Sequence, residues 1–209
     1  MHSEKSSSDQ ISSKKSFIEE ARRKQIMEAA IDTIALHGYA QTSLAKIAEQ
    51  AGISTSLILY HFKDKDQLMA EVLASIVEDW EKPAKEILQS TSLSYSQKLK
   101  EYIEVRLVHI GTRPKQSIAL IELLFTSRPT GTAQAYRTEE QGFEIDDLIE
   151  LLNEGQEKKE FGEFNTVHMA MLIRSIIDQF LGYSQVPDID LETYTKDILA
   201  WINQLTSRG

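Results

Sequence analysis

The chain has no cysteine, only four prolines and nine glycines, and 8% aromatic residues across 209 positions. Without cysteine there is no disulfide and no thiolate metal site, which suits a reducing cytoplasm. No apolar run approaches the roughly 18 residues of a membrane span, so no membrane partner is expected. The five histidines, at 2, 37, 61, 109 and 168, show neither i, i+4 pairing nor H-E-x-x-H spacing. Neither a metal site nor a cofactor is therefore expected. There is no G-x-S-x-G and no glycine-rich loop to cradle a phosphate. Glu139-Glu140 and Asp146-Asp147 are adjacent carboxylates that point to different helix faces. These absences speak against an enzyme.

Basic excess is lacking too: the net charge is −9. Its distribution matters more than its sum. Up to Leu68 there are nine Lys and Arg against nine Asp and Glu; from Met69 on, fourteen against twenty-three carry the whole deficit. The first sixteen residues are Ser- and Lys-rich without an apolar centre, so residues 1–16 are expected to be a disordered arm rather than a signal peptide.

What is present begins at Thr42. In TSLAKIAEQAG, Leu44, Ile47, Ala48 and Ala51 fall at i, i+3, i+4 and i+7, one apolar helical stripe. Thr42 or Ser43 caps its start, and Gly52 stands where a left-handed C-terminal cap would end it. Ser54 can cap a second helix only two residues later, so the turn is a corner, as in a helix-turn-helix. At about 100° per residue, Ile58 and Phe62 face the first helix. Ser56, Tyr60 and Lys63 face away, with Thr55, Leu57 and Leu59 on the flanks. The two flanking leucines are either covered by a neighbouring helix or free to meet thymine methyl groups in a major groove.

The remaining chain keeps helical periodicity throughout, which predicts an all-α fold. A first helix from about Phe17 to Leu36 buries Ile26, Met27, Ala30, Ile31 and Ile34. Arg22-Arg23-Lys24 near its start opposes the helix dipole, so it is either a solvated face or a phosphate contact. Residues 17–63 thus form the helix-turn-helix domain. Asp64 caps a connecting helix over 64–82, with Gln67 at capping-box spacing and Pro83 as its kink or end. Within a second domain, 64–209, Leu99, Tyr102, Ile103, Arg106, Leu107 and Ile110 mark one helix. Ile118, Ile121, Leu124 and Phe125 mark another, and Leu148, Ile149, Leu151 and Leu152 a third. Val167 to Tyr183 is the most apolar, and Asp190 caps the last.

Gly38-Tyr39, Thr42-Ser43, Ile47-Ala48, Ala51-Gly52-Ile53-Ser54, Tyr60-His61-Phe62, Lys65 and Leu68 stand in an order and spacing that resemble the TetR family of bacterial transcriptional regulators. The resemblance implies a homodimer whose two recognition helices enter successive major grooves of palindromic double-stranded operator DNA. Carried over, it makes Thr42, Ser43, Thr55, Ser56, Leu57, Leu59, Tyr60, His61 and Lys65 DNA-facing. Tyr60, His61 and Lys65 would hold phosphates, and Thr55, Ser56, Leu57 and Leu59 would reach base edges. Ser56 departs from a common Gly, Leu59 from a common Tyr and Ala45 from a frequent Arg, so the operator sequence does not carry over from relatives.

The resemblance further implies a repressor released when a small-molecule effector binds the second domain. Trp80, Tyr102, His109, Glu122, Phe125, Phe143, His168, Met171 and Tyr183 are candidate lining residues, with ordinary core or interface packing as the competing reading. The acidic balance leaves room for a cationic effector, though solvated carboxylates explain it equally. The family places the dimer on the last two helices, and the sequence agrees independently. The apolar residues of 172–181 cover more than one helix face, a surplus that suggests a partner. Leu172, Ile176, Phe180, Tyr194, Ile198, Trp201 and Leu205 are the expected interface residues. A helix-turn-helix that only binds protein is the third reading, beside regulator and enzyme.

Overall fold

The structure, a computed structural model, describes residues 4–126, 141–183 and 190–208, with side chains over 17–124, 145–183 and 190–208. Among the described residues every regular element is helical. Two units result, Met1–Leu73 and Ala74–Gly209.

The first unit begins with α1, Glu4–His37. The helix thus starts well before Phe17, over a stretch expected to be a disordered arm. Residues 4–16 contain neither Pro nor Gly, so no breaker ends the helix there. Ile26, Ala30 and Ile34 of α1 are fully buried and pack against α2, Leu44–Ala51. Ser43 caps α2 by accepting from the Lys46 N–H at 3.3 Å. Gly52 ends it with φ +65°, a left-handed conformation that favours glycine. The Ile53 N–H then reaches the Ala48 carbonyl at 2.9 Å and the Gly52 N–H the Glu49 carbonyl at 3.1 Å. Both bonds belong to a Schellman closure, and they turn the chain within two residues. Ser54 caps α3, Thr55–His61, by accepting from the Leu57 N–H at 3.2 Å.

Helix α4, Lys65–Leu88, opens under the Asp64 cap, whose carboxylate accepts the Gln67 N–H at 2.8 Å. Gln67 returns the bond to the Lys63 N–H at 2.8 Å, one residue earlier than a capping box requires. Leu68, Met69, Val72 and Leu73 are buried and belong to the first unit, so the division falls inside α4 rather than at 63/64. Pro83 neither ends α4 nor confines the connecting helix to 64–82. The bond it deletes would have reached the Asp79 carbonyl, and Asp79 is exposed, so water can satisfy the freed group. Buried Trp80 and Ala84 anchor the helix on both sides of the gap.

In the second unit, α5 (Tyr95–Thr112) is the central helix, packed against α7 (Gln141–Glu157), α8 (Thr166–Tyr183) and α9 (Leu191–Thr206). A complete capping box, Ser94 with Gln97, starts it. Its buried residues are Leu99, Tyr102, Ile103, Arg106, Leu107 and Ile110, the face its periodicity predicts. Helix α6, Pro114–Ile121, differs from expectation. Ala119, Leu120 and Leu123 are buried, while Ile118, Ile121 and Leu124 are half-buried. A π-helical turn over Glu122–Thr126 takes more residues per turn than a regular 3.6-residue stripe assumes. The Ser117 hydroxyl, bonded to the Ile110 carbonyl at 3.1 Å, fixes where α6 starts.

Candidate nucleic-acid interface and effector region

Helix α3 has two unlike faces. Ile58 is fully buried and Phe62, just past its end, is 1% exposed. Burial of two such side chains contributes about 1.5–3 kcal/mol each and fixes the rotation of α3. That rotation turns Ser56, Leu59 and Tyr60 outward, Leu59 at 47% and Tyr60 at 71% exposure. Thr55, Leu57 and His61 are half-buried beside them, and Ser43 is exposed at the start of α2. Leu59 therefore has no covering helix within its unit. The His61 ring stands edge-on to Tyr60, centroids 5.0 Å apart.

Two α1 side chains lock this face in place. Arg23 donates to the His61 carbonyl and to the Glu71 carboxylate, and its guanidinium lies 4.3 Å from the Phe62 ring centroid. A cation at the C-terminal end of α3 also meets the negative end of the helix dipole. Gln25 donates to the Ala51 carbonyl at 3.0 Å and caps α2 in the same way. Arg23 is thus neither a solvated charge nor a free phosphate contact, and Gln25, a lone polar residue on a helix, carries no local signature of its role.

Two expected DNA-facing residues are turned inward. Thr42 is 3% exposed, and its hydroxyl donates to the Gly38 carbonyl at 2.8 Å. Lys65 donates to the Thr42 carbonyl at 2.6 Å, with its ammonium 4.5 Å from the Tyr39 ring centroid. Partial burial holds the Lys65 ammonium below its ordinary pKa, and burial beside Asp66 raises that of the Tyr39 phenol. The ammonium thereby cross-links the 39–42 turn to the start of α4.

The expected effector residues separate into groups. Trp80 and Tyr102 are buried, His109 and Glu122 half-buried, and His168, Met171 and Tyr183 exposed. His168 lies in the first turn of α8, where its N–H bonds the Asn165 side chain at 2.9 Å, so its ring is not held in a core. Met171 and Tyr183 project from α8 on the side away from buried Ile173 and Ile177. The side chains of Phe125 and Phe143 lie outside the described residues. Around Trp80 the interior is cationic: Arg106 is 2% exposed, donates to the Trp80 carbonyl at 3.3 Å, and its guanidinium is 5.1 Å from the indole. Arg174 lies 5.6 Å from the same ring and bonds Asp178 at 3.0 Å. Burial pushes the Tyr102 phenol up, and burial with neighbouring Arg113 pushes His109 down. Trp80, His109, Gln116 and Leu120 line a cavity of about 10 Å³, enough for one water. The buried Trp80 Nε1 and Gln116 Oε1 have no hydrogen-bond partner among the described residues.

The expected interface residues divide likewise. Leu172, Trp201 and Leu205 are exposed at 42%, 58% and 53%; Ile176 and Tyr194 are half-buried. Phe180 and Ile198 are buried within the chain. Phe180 stacks on Tyr194 at 4.6 Å, so it serves the packing of α8 on α9 instead of a partner. Among the described residues no group of three or more metal-ligating side chains forms, and no helix is long and apolar enough to cross a membrane.

Comparison with known proteins places the first unit. The family model described as "Bacterial regulatory proteins, tetR family" matches residues 26–72. The HTH-type transcriptional regulator RutR of Escherichia coli is 36% identical over 94 residues, 45% of this chain and 43% of RutR. The match spans less than half of that relative. The ketosteroid transcriptional regulator KstR2 of Mycobacterium tuberculosis shares the fold at TM-score 0.75 with 18% identity, over 90% of this chain and 96% of KstR2. The transcriptional regulator FadR of Bacillus subtilis, solved in complex with stearoyl-CoA, does so at TM-score 0.69 with 21% identity, over 86% and 96%. Residues 26–72 thus match the helix-turn-helix unit of the TetR family of bacterial regulatory proteins.

Proposed function

We propose that the chain is a cytoplasmic transcriptional repressor that binds a palindromic operator as a homodimer and leaves it when a small-molecule effector binds the second unit. The observation that carries this reading is the split of α3: Ile58 and Phe62 are fully inside, while Ser56, Leu59 and Tyr60 project outward. A seven-residue helix so capped and clamped offers a rigid ridge of small polar, apolar and aromatic groups, which suits base edges and phosphates in a major groove. Ser43, Thr55, Ser56, Leu57, Leu59, Tyr60 and His61 remain the DNA-facing set. Thr42 and Lys65 support them from behind. Bound across a promoter, such a dimer excludes other proteins from the same DNA.

The exposed apolar residues of α8 and α9, Met171 and Leu172 with Trp201 and Leu205, form the dimer face in this reading. The effector region is the interior around Trp80, Tyr102 and His109, where the cavity opens only when ligand enters. An effector must prefer one of two arrangements of the dimer, because equal affinity for both would shift nothing. The stearoyl-CoA bound to FadR favours an effector site in this fold. Relatives named as transcriptional regulators favour a regulator over an enzyme.

The test is a mobility-shift screen of genomic fragments at several salt concentrations, with sedimentation for oligomeric state. Retention of a discrete palindromic fragment by a dimer, with affinity falling steeply as salt rises, is the expected result. No retained fragment, or retention indifferent to salt, would refute DNA recognition and leave a protein-binding module.

A further inference from the structure

A far larger cavity than the one beside Trp80 lies between the first half of α5 and α9. Its volume is about 410 Å³, within the range of small-molecule sites. Leu99, Ile103, Phe161 and Ile202 form an apolar floor, and Lys100 and Asn203 stand on the rim. The wall is preformed. Phe161 is seated so tightly on Gly155 that a β-carbon there would lie 2.3 Å from the ring. The adjacent Gly162 N–H donates to the Thr206 carbonyl at 2.9 Å, tying the Phe161 loop to α9. Lys100 is exposed and forms no ion pair with a described residue. Glu160 is held at the start of α5, where it accepts the Ser96 N–H at 3.0 Å. Among the described residues that line the groove, Lys100 is the one charged side chain.

The groove is also separate from the face assigned above to dimerisation. At about 100° per residue, Leu199, Ile202, Asn203 and Thr206 centre roughly 130° around α9 from Trp201 and Leu205. A partner seated on Trp201 leaves the groove open.

We infer that this α5–α9 groove is a second small-molecule site, and that it takes a single-chain amphiphile with an anionic head, the chain on Leu99, Ile103 and Phe161 and the head at Lys100. Its walls are fixed without ligand, so binding has little ordering to offset. The shared chemistry of free fatty carboxylates and their thioesters fits; the bulk of the head distinguishes them.

The test is calorimetric titration of the full chain with sodium decanoate, decyltrimethylammonium, decanol and decanoyl-coenzyme A, each below its micelle concentration. Decanoate is expected to bind once per chain, at least fivefold more tightly than the cationic analogue. Ala200→Trp, at an exposed position of the lining, fills the groove and should abolish binding. Lys100→Gln, on the surface and harmless to folding, should weaken decanoate roughly fivefold, the scale of one exposed ion pair, and leave decanol unchanged. If the coenzyme A thioester binds as tightly as decanoate, and loses the same factor on Lys100→Gln, the head is read only as an anion; if it binds more weakly, the site takes the free acid. The inference fails if decanoate does not saturate, if the cationic analogue binds equally, or if Ala200→Trp leaves affinity untouched. None of these outcomes depends on DNA binding, so failure here leaves the repressor reading standing.

Discussion

Replacing Lys65 with alanine separates two roles that give opposite signatures. If the ammonium neutralised a DNA phosphate, its loss would lower the salt slope of binding by roughly one unit and leave the free protein unaffected. The structure instead commits it to the Thr42 carbonyl at 2.6 Å and to the Tyr39 ring at 4.5 Å. A hydrogen bond from a charged donor contributes about 1.5–3 kcal/mol, and partial exposure argues for the low end. An exposed cation–π contact adds about 0.5 kcal/mol. The expected loss is therefore about 2 kcal/mol, or a fall in Tm of roughly 4–8 °C for a chain of this length. Operator affinity should fall because the turn that carries Ser43 loosens, while the slope of log affinity against log salt keeps its wild-type value. Circular-dichroism melting and a salt series of mobility shifts measure both quantities. A slope reduced by one with Tm unchanged would refute the inward lock and restore Lys65 to the phosphate backbone.

Three other outcomes follow from the same geometry. Leu59→Ala should weaken binding to the cognate operator by about 1 kcal/mol and leave non-specific DNA unaffected, because methyl readout carries sequence information and phosphate contact does not. Gly155→Ala should destabilise the second unit by about 1–3 kcal/mol through its clash with Phe161, read as a lower denaturation midpoint. The carboxylate of Asp190, held below its ordinary pKa by its bonds to Thr193, caps α9 in its ionised form. Its stabilising effect is full above the unfolded-state pKa and is lost as pH falls through the folded-state value. The melting difference between wild type and Asp190→Ala should accordingly close in acid.

Much of this molecule could be read from residues only a few positions apart. The buried face of α5 follows from spacing of three and four residues, and the caps at Ser43, Gly52, Ser54, Asp64 and Asp190 each act within three positions. Burial of Ile58 and Phe62, with Leu59 and Tyr60 outside, comes from the same helical arithmetic. Such features are local, so the chain spells them out in order. The turning inward of Lys65 and Thr42, the clamp of Arg23 on His61, Phe62 and Glu71, and the seating of Phe161 on Gly155 depend on which groups come together once helices meet. Arg23 reaches across 38 and 48 residues to do this. The passage of α4 through Pro83 and the groove between α5 and α9 are likewise properties of packing. The sequence by itself determined most of the helices, the inner faces of α3 and α5 and the helix-turn-helix corner. Tertiary structure alone decided which charges became fasteners, because the groups they fasten are distant in the chain and close only in the fold.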